Sequence, residues 1–330
     1  MKRALITGGV GFIGFHLARR LLENGYEVVV ADNLSRGVVD PDFRALLENP
    51  KLTFVEVDLL HAGALNAVPG SFDLIFHFAA IIGVANVLKR PYEVLTSNIA
   101  MQEEALRFAR GQAGLRRFVF ASTSEVYAGT LQYFELPLPT PESVPLTVTD
   151  LSHPRTSYML SKIYGEAMCH QSGVPYTVVR PHNVYGPRMG MAHVIPELLK
   201  KGYEASAGSE IVVASVDHRR AFCYIDDAVE LILRGAQAEA CRNDVINIGN
   251  QDTETSVGDL ASTIFAVLRK DLKMRPGAVS PGSPSNRWPD MTKAVNATGF
   301  RPRVGLQEGI QNTYDWYLAN VFEGASTSAV

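Results

Sequence analysis

A cluster of glycines near the start of the chain constrains the fold more than any other feature of the sequence. It lies in residues 8–14, GGVGFIG, between an apolar run at Arg3–Thr7 and an amphipathic pattern at Phe12–Glu23. One glycine permits a tight turn, another lets a pyrophosphate approach the backbone, and a third lets the helix pack closely on the strand. The first amides of the helix attract negative charge. The sequence therefore predicts a strand, a phosphate-binding turn and a helix.

Short β-branched runs alternate with helical patterns along much of the chain. The predicted strands are 3–7, 27–32, 52–58, 72–79, 117–123, 176–180 and 244–248, with a weaker candidate at 211–214. The predicted helices are 12–23, 91–110, 157–171, 226–235, 257–269 and 306–318. Strands that alternate with helices form parallel sheets, because each crossover covers a sheet face with a helix. We therefore expect an α/β fold built on a doubly wound parallel sheet.

The regular alternation ends after Pro181, which indicates a second domain. We predict that residues 1–182 form a nucleotide-binding domain, rejoined by about 224–250. Residues 183–223 and 251–330 are predicted to form a smaller, discontinuous C-terminal α/β domain that binds the substrate.

Two proline-rich segments, 136–154 and 275–289, are expected to be irregular. Long irregular segments inside a compact protein are more often functional loops than simple connections. The small, polar tail at 324–330 is expected to fray.

The composition excludes several classes of partner. Of the 330 residues 46% are hydrophobic and 20% are charged, and the net charge is −3, so no electrostatic argument favours nucleic acid or an anionic membrane. No apolar run approaches the ~20 residues of a membrane span, and no secretory signal is recognisable. We therefore expect a cytoplasmic protein. Neither disulfides nor a metal site is expected from the three scattered cysteines, Cys169, Cys223 and Cys241.

An aspartate ends the second predicted strand at the position where dinucleotide-binding proteins hold the adenosine ribose. Asp32 follows Gly14 by a helix and a strand, and its carboxylate can accept hydrogen bonds from the ribose hydroxyls. Because a carboxylate repels a 2′-phosphate, NAD is favoured over NADP as the cofactor. Arg36 lies close enough in sequence to oppose that preference. The alternative interpretation is that Asp32 only caps a turn.

A tyrosine and a lysine lie one helical turn apart in the predicted helix 157–171. Tyr158 and Lys162 therefore share a face, where the lysine cation can favour the phenolate of a side chain whose ordinary pKa is near ~10. A tyrosine of this kind can take the proton from an alcohol while the carbon is oxidised. Taken alone, this spacing usually marks a surface pair. Thr123, however, ends a preceding parallel strand, where doubly wound proteins bind ligands.

These motifs occur in the order seen in the extended short-chain dehydrogenase/reductases. More narrowly, the sequence resembles the NAD-dependent epimerase/dehydratase family that acts on nucleotide sugars, over residues 1–317. The resemblance implies a Rossmann-type fold, bound NAD and oxidation of the sugar at C4 to a transient 4-keto intermediate. It rests on residues 8–14, Asp32, Asp58, residues 77–80, Asn98, residues 122–127, Tyr158, Lys162 and residues 180–188.

The resemblance also assigns roles in the cofactor site. It implies that Asp58 approaches the adenine and that Ala79 and Ala80 line the nicotinamide pocket. Thr123 would hydrogen-bond the reacting hydroxyl, with Tyr158 as the base and Lys162 as its support. The full predicted set of cofactor residues is Gly8, Gly11, Phe12, Ile13, Gly14, Asp32, Asn33, Asp58, Leu59, Ala79, Ala80, Asn98, Tyr158 and Lys162.

The substrate residues implied by the resemblance are mostly arginines. Arg220 and Arg287 match the residues that grip the diphosphate, which suits the planar fork of a guanidinium. Asn183 would also contact the diphosphate, and Ser124 and Arg188 complete the predicted set. The alternative is that Arg220 and Arg287 are ordinary surface charges.

Glu125 is the residue that separates the possible reactions. The Thr-Ser-Glu sequence that it ends resembles UDP-glucuronate decarboxylases and GDP-mannose 4,6-dehydratases, in which an acid could abstract the C5 proton or help hold a uronate. Gly83-Val84 and Pro91, in contrast, resemble the C4 epimerases. The alternative interpretation of Glu125 is a carboxylate that stabilises a helix start.

We therefore predict an enzyme that decarboxylates or dehydrates a nucleotide-diphosphate sugar, with a UDP-sugar favoured. The alternatives are a UDP-sugar 4-epimerase and, from another class, a non-catalytic NAD(H)-binding sensor. The resemblance implies a homodimer formed through the predicted helices 91–110 and 157–171. No metal is required.

Overall fold

A computed structural model describes residues 2–279 and 285–323, and its centre is a seven-stranded parallel sheet. The strands are β1 (Arg3–Thr7), β2 (Glu27–Asp32), β3 (Leu52–Glu56), β4 (Leu74–His77), β5 (Arg117–Ala121), β6 (Tyr176–Pro181), β7 (Val184–Tyr185), β8 (Glu210–Val213), β9 (Arg219–Ala221), β10 (Cys223–Tyr224), β11 (Asp244–Ile248), β12 (Glu254–Ser256), β13 (Lys273–Pro276) and β14 (Asn286–Arg287). The central sheet has the order β11-β6-β5-β4-β1-β2-β3, and each neighbouring pair is parallel.

Helices cover both faces of this sheet. They are α1 (Phe12–Glu23), α2 (Pro41–Leu47), α3 (Val84–Lys89), α4 (Pro91–Arg110), α5 (Ala128–Tyr133), α6 (Arg155–Gln171), α7 (Val194–Glu204), α8 (Ile225–Gln237), α9 (Val257–Leu268), α10 (Thr292–Thr298) and α11 (Leu306–Tyr317). A short 3-10 helix, Ser124–Tyr127, follows β5, and a π-helix, Leu318–Phe322, follows α11. No helix in the described part of the chain is long and apolar enough to cross a membrane.

Side chains of the central strands alternate between two hydrophobic cores. In β1, Ala4 and Ile6 belong to the core that contains residues of α1 and α8, whereas Leu5 belongs to the core that contains residues of α4 and α6. Such alternation follows from the two-residue period of a strand. Because both faces are buried, the strands are almost continuously apolar, as expected for a parallel sheet. The structure thus confirms the prediction of a doubly wound α/β fold.

The remaining strands form small sheets that are separate from the central sheet. β7 pairs with β10, β8 pairs with β13, and β9 lies between β12 and β14. β11 then returns the chain to the edge of the central sheet beside β6. The division into two domains stays a prediction, although this return accounts for the discontinuity that we expected.

Several short elements differ from the sequence prediction. The prediction placed no helix at α2, α3, α5, α7 or α10, most of which are too short for a clear hydrophobic period. The segment 275–289, expected to be irregular, contains the end of β13 and all of β14, which pair with β8 and β9. Such pairing depends on distant partners and leaves no local signal. Pro281, Pro284 and the tail 324–330 lie outside the described residues.

Candidate active site

The glycine turn brings the backbone of the β1–α1 connection very close to the end of β4. Gly8 has φ of 72°, and a Cβ atom placed on it would lie 2.6 Å from the amide nitrogen of Ala79. A Cβ on Gly14 would collide with the carbonyl oxygen of Gly8. Gly11 caps α1 without a side-chain hydrogen bond, so the first-turn amides, including those of Phe12 and Ile13, have no side-chain cap. This cradle fits the pyrophosphate of a dinucleotide.

The carboxylate of Asp32 holds the glycine turn in place. It accepts hydrogen bonds from the amides of Val10, at 3.0 Å, and Leu34, at 2.9 Å. Burial raises the pKa of Asp32, while these backbone bonds lower it. Since each carboxylate oxygen can accept a further hydrogen bond, Asp32 can cap this turn and still receive ribose hydroxyls. The two interpretations of Asp32 from the sequence are compatible.

Asn98 fixes the segment that follows the paired alanines. Its amide oxygen accepts from the backbone nitrogen of Ile81 at 2.7 Å, and its amide nitrogen donates to the Ile81 carbonyl at 3.1 Å. The same nitrogen donates to Ser161 of α6 at 3.2 Å. Asn98 therefore sets the distance between Ala79-Ala80 and the helix that carries Tyr158.

Thr123, Tyr158 and Lys162 converge at the carboxyl end of β5. The phenol of Tyr158 is hydrogen-bonded to the side chain of Thr123. Burial raises the pKa of this phenol, the Glu125 carboxylate raises it further, and Thr123, Arg36 and Arg287 lower it. Lys162 is buried, which lowers its pKa to about 8, and its ammonium donates to the Ala121 carbonyl at 2.8 Å.

Arginine side chains surround the carboxylate of Glu125. Arg287 donates to Glu125 Oε1 at 2.5 Å, and a nitrogen of Arg155 lies 3.7 Å from the same oxygen. Burial opposes ionisation, but Arg287, Arg155 and Arg220 together lower the pKa of Glu125. The carboxylate is therefore ionised at neutral pH. Arg155 was not among the site residues predicted from the sequence, although its position three residues before Tyr158 places both on one helical face.

Pairing of β9 with β14 places Arg220 directly opposite Arg287. Burial and the Arg287 cation lower the pKa of Arg220 to about 10. Arg220 also donates to the carbonyl of Ser285 at 2.9 Å, and Asn183 donates to the carbonyl of Ala221, the last residue of β9, at 3.1 Å. Two arginines that are distant in the chain thus lie side by side, which does not favour the alternative that they are unrelated surface charges.

A narrow pocket adjoins this cluster at Arg287. Ser124 and Arg287 lie at its wall, together with the aromatic side chains of Tyr127 and Trp288. The lining of the pocket therefore combines polar and apolar groups.

Other predicted residues lie outside the Tyr158–Glu125 cluster. Arg188 donates to Asp40 at 2.7 Å and stacks on the ring of Phe15, 3.9 Å from its centroid, so the structure does not bring it to the cluster. Asp58 accepts from the amide of Leu60, and Leu59 is buried. The Asn33 side chain accepts from the amide of Ser35.

A buried polar network supports the helix that carries Tyr158. The carboxylate of Glu166 accepts from Arg180 at 2.9 and 2.6 Å and from the Ser122 hydroxyl at 2.5 Å. Arg180 also donates to the Tyr127 hydroxyl at 2.8 Å. Glu166 was not predicted from the sequence, where its only local signal is that it lies one turn after Lys162 on the same face.

Known proteins resemble this chain over most of its length. A model of the NAD dependent epimerase/dehydratase family matches residues 4–249. A relative named UDP-N-acetyl-alpha-D-glucosaminuronate decarboxylase, from Bacillus cytotoxicus, is 31% identical over 96% of this chain and 98% of its own. A structure of UDP-glucose 4-epimerase from Thermotoga maritima with UDP-glucose is 28% identical, has a TM-score of 0.83, and aligns over 97% of this chain and 99% of its own.

A third similar protein was solved with a uronate. The structure of UDP-glucuronic acid 4-epimerase from Bacillus cereus, in complex with UDP-glucuronic acid and NAD, is 27% identical with a TM-score of 0.80. The alignment covers 95% of this chain and 98% of that one.

Proposed function

The chain belongs to the NAD-dependent epimerase/dehydratase family, and we propose that it decarboxylates a UDP-linked uronate through a 4-keto intermediate. The protein is an NAD-dependent enzyme that modifies a nucleotide sugar, like other members of this family. The alternative of a non-catalytic NAD(H) sensor is set aside, because the chain retains Thr123, Tyr158 and Lys162 together at one site.

The ionised state of Glu125 is the observation that favours decarboxylation over dehydration. A dehydratase needs a base that removes the C5 proton, but a carboxylate paired with Arg287 and with a lowered pKa is a poor base. Loss of a C5 carboxylate from a 4-keto sugar needs no such base, because the breaking carbon–carbon bond leaves its electron pair conjugated with the ketone. The arginines at this site also suit an anionic sugar.

Two of the similar proteins favour a uronate as the substrate. The Bacillus cytotoxicus relative is named for the decarboxylation of a UDP-linked uronate, and the Bacillus cereus structure contains UDP-glucuronic acid. These two proteins differ in outcome, since one is named a decarboxylase and the other a 4-epimerase. They agree on a carboxylate at C5 of the sugar.

The described side chains have separate tasks in this proposal. When NAD is bound, its nicotinamide would supply the hydride acceptor for oxidation at C4 of the sugar. Tyr158 would take the proton of the C4 hydroxyl, Thr123 would hydrogen-bond that hydroxyl, and Lys162 would supply positive charge nearby. Asn98 would fix the distance between the nicotinamide pocket and Tyr158.

The cofactor and diphosphate residues complete the proposal. The turn from Gly8 to Gly14 and the helix start at Gly11 would hold the pyrophosphate, and Asp32 would receive the ribose. Arg220 and Arg287, with Asn183 and Ser124, would bind the substrate beside the pocket. Arg188 would act indirectly, because it contacts Asp40 and Phe15.

A UDP-sugar 4-epimerase is the second candidate. The similarity to the Thermotoga maritima epimerase favours it, and so does Gly83, which has φ of 98° at the start of α3 in the segment that resembles C4 epimerases. In an epimerase the hydride returns to the opposite face of C4, so the 4-keto sugar must rotate within the site.

A homodimer through α4 and α6 is also proposed. Tyr92 of α4 is 78% exposed, and Tyr164 of α6 is 50% exposed. Leu88 of the adjoining α3 is also half exposed. Large apolar side chains that remain exposed on adjacent helices favour burial against a partner. The cytoplasmic location stays a prediction.

The experiment is incubation of the purified protein and NAD with UDP-glucuronic acid, its 2-acetamido counterpart, UDP-glucose and dTDP-glucose in deuterated water. NMR spectra and released carbon dioxide are measured. We expect carbon dioxide and a deuterium at C5 of the product from a uronate. Inversion at C4 with the carboxylate retained would establish the epimerase instead, and a 6-deoxy product would establish a dehydratase.

A further inference from the structure

Arg155 is placed to act on the reacting end of the sugar. It is the first residue of α6, and its guanidinium lies 3.7 Å from Glu125 Oε1. Arg287, from a distant part of the chain, lies 2.5 Å from the same oxygen. The side chains of Arg155 and Glu125 are each about a quarter exposed, at 25% and 24%. Both side chains can therefore be reached by a ligand from solvent.

The charges at this site are unequal. Three guanidinium groups, those of Arg155, Arg220 and Arg287, act on the single carboxylate of Glu125. Positive charge that is partly removed from water is costly unless anions balance it. A ligand that brings further negative charge would therefore be favoured here. A nucleoside-diphosphate uronate brings two kinds of anion, the diphosphate and the sugar carboxylate.

The helix positions Arg155 for the carboxylate rather than the diphosphate. Arg155 lies three positions before Tyr158, so the two residues are neighbours on one face of α6. If Tyr158 faces the C4 hydroxyl, the group attached to the neighbouring C5 lies within a few ångströms of it. Arg220 and Arg287 come from the other wall, on β9 and β14.

We propose that Arg155 recognises the C5 carboxylate of a uronate substrate and so selects uronates over neutral sugars. This inference rests on the proposed function, because it takes Tyr158 to face C4. When a uronate binds, Arg155 shares its charge between the substrate carboxylate and Glu125. Arg155 is thus a specificity residue that contacts the substrate but takes no proton.

The test measures binding of three ligands to the NAD-loaded protein by calorimetry: UDP, UDP-glucose and UDP-glucuronic acid. UDP reports the diphosphate alone, UDP-glucose adds a neutral sugar, and UDP-glucuronic acid adds the carboxylate. The variants are Arg155→Gln and Arg155→Lys. Arg242→Gln is the matched control, because Arg242 is 48% exposed and pairs with Glu239 at 3.6 Å.

For Arg155→Gln we expect the affinity for UDP-glucuronic acid to fall by roughly 10- to 100-fold, the value of one charge-assisted hydrogen bond, while UDP and UDP-glucose bind as before. Arg155→Lys should recover part of the loss. An equal loss for all three ligands would assign Arg155 to the diphosphate and overturn the proposal. Unchanged affinity for the uronate would overturn it as well. Thermal unfolding confirms that each variant is folded.

The binding test of Arg155 does not depend on whether the protein decarboxylates its substrate. If the unmodified protein binds UDP-glucuronic acid but releases no carbon dioxide, the proposed decarboxylation fails while the selection of uronates by Arg155 is still tested by the affinities. If carbon dioxide is released and Arg155→Gln binds the uronate normally, only the role of Arg155 fails.

Discussion

The ammonium of Lys162 lies 5.9 Å from the centre of the Tyr158 ring and donates its hydrogen bond to the carbonyl of Ala121. Thr123, in contrast, is hydrogen-bonded to the phenol of Tyr158 directly. Tyr158 keeps a raised pKa in this environment. The positive charges of Arg36 and Arg287 lower this pKa and so favour deprotonation of the phenol.

Tyr158→Phe is expected to reduce turnover by about 100-fold or more, because general bases contribute roughly 10²–10⁴ to the rate. Binding of NAD should be unchanged, since the ring remains and the glycine turn is intact. Turnover with UDP-glucuronic acid and NAD affinity are the two measurements. Tyr164→Phe, on the exposed side of the same helix, is the control. Residual turnover above a few per cent of the unmodified enzyme would remove Tyr158 from the role of base.

Asp32→Asn is expected to weaken the preference for NAD over NADP. The neutral amide no longer repels a 2′-phosphate, and it binds ribose hydroxyls less well than a carboxylate. The bonds to Val10 and Leu34 are also weakened, so NAD affinity should fall. The ratio of the two dissociation constants is measured by fluorescence titration. If that ratio does not move, another group discriminates between the cofactors.

Glu125→Gln is expected to slow release of carbon dioxide by about tenfold or more while C4 inversion, where present, continues. Without the carboxylate, Arg287 is free to pair with the substrate carboxylate and stabilise it against loss, at a strength of about 1.5–3 kcal/mol. The variant should also lower the pKa of Tyr158, because the Glu125 charge raises it. The acid limb of the pH profile should therefore move to lower pH. Glu135→Gln, at an exposed position, is the control.

Glu166→Gln is expected to reduce the free energy of unfolding by about 3–5 kcal/mol, because it leaves the buried Arg180 without its counter-charge. Glu197→Gln breaks an exposed pair with Lys201 and should cost no more than about 0.5 kcal/mol. Urea unfolding of both variants gives the comparison. Similar losses in the two variants would show that the Glu166–Arg180 pair does not stabilise the fold in the way its burial indicates.

The pH dependence of stability should reflect His77. Burial, aided by the Lys162 charge, lowers the pKa of His77 from 6.5 to about 3, and its ring is bonded to the Thr7 hydroxyl at 2.8 Å. A lowered pKa means that the unfolded chain binds the proton more tightly. The contribution of His77 is therefore fully present above pH 6.5 and is lost as the pH falls toward 3, by about 1.4 kcal/mol per pH unit.

His77→Asn should make the unfolding free energy less steep in pH between 4 and 6, whatever its effect at neutral pH. The measurement is urea unfolding at several pH values. His61→Asn, at an exposed position, should leave the slope unchanged. A slope in His77→Asn equal to that of the unmodified protein would show that the imidazole is already charged in the folded state.

Local patterns in the sequence determined the frame of this protein. The glycines at 8–14, the apolar runs and the spacing of Tyr158 and Lys162 predict β1, α1, the other central strands and α6, since each signal spans only a few residues. The order of these motifs was enough to predict the family and NAD. Periodicity acts between near neighbours, so it survives without knowledge of the rest of the chain.

The tertiary structure decided which distant side chains meet. Arg155, Glu125 and Arg287 come from a helix, a turn after β5 and a short strand, and only the path of the chain brings their charges together. The same path turns Arg188 toward Asp40. Ionic contacts act through space over a few ångströms, whereas the sequence records only distance along the chain, so the chemistry around Glu125 emerged from the fold.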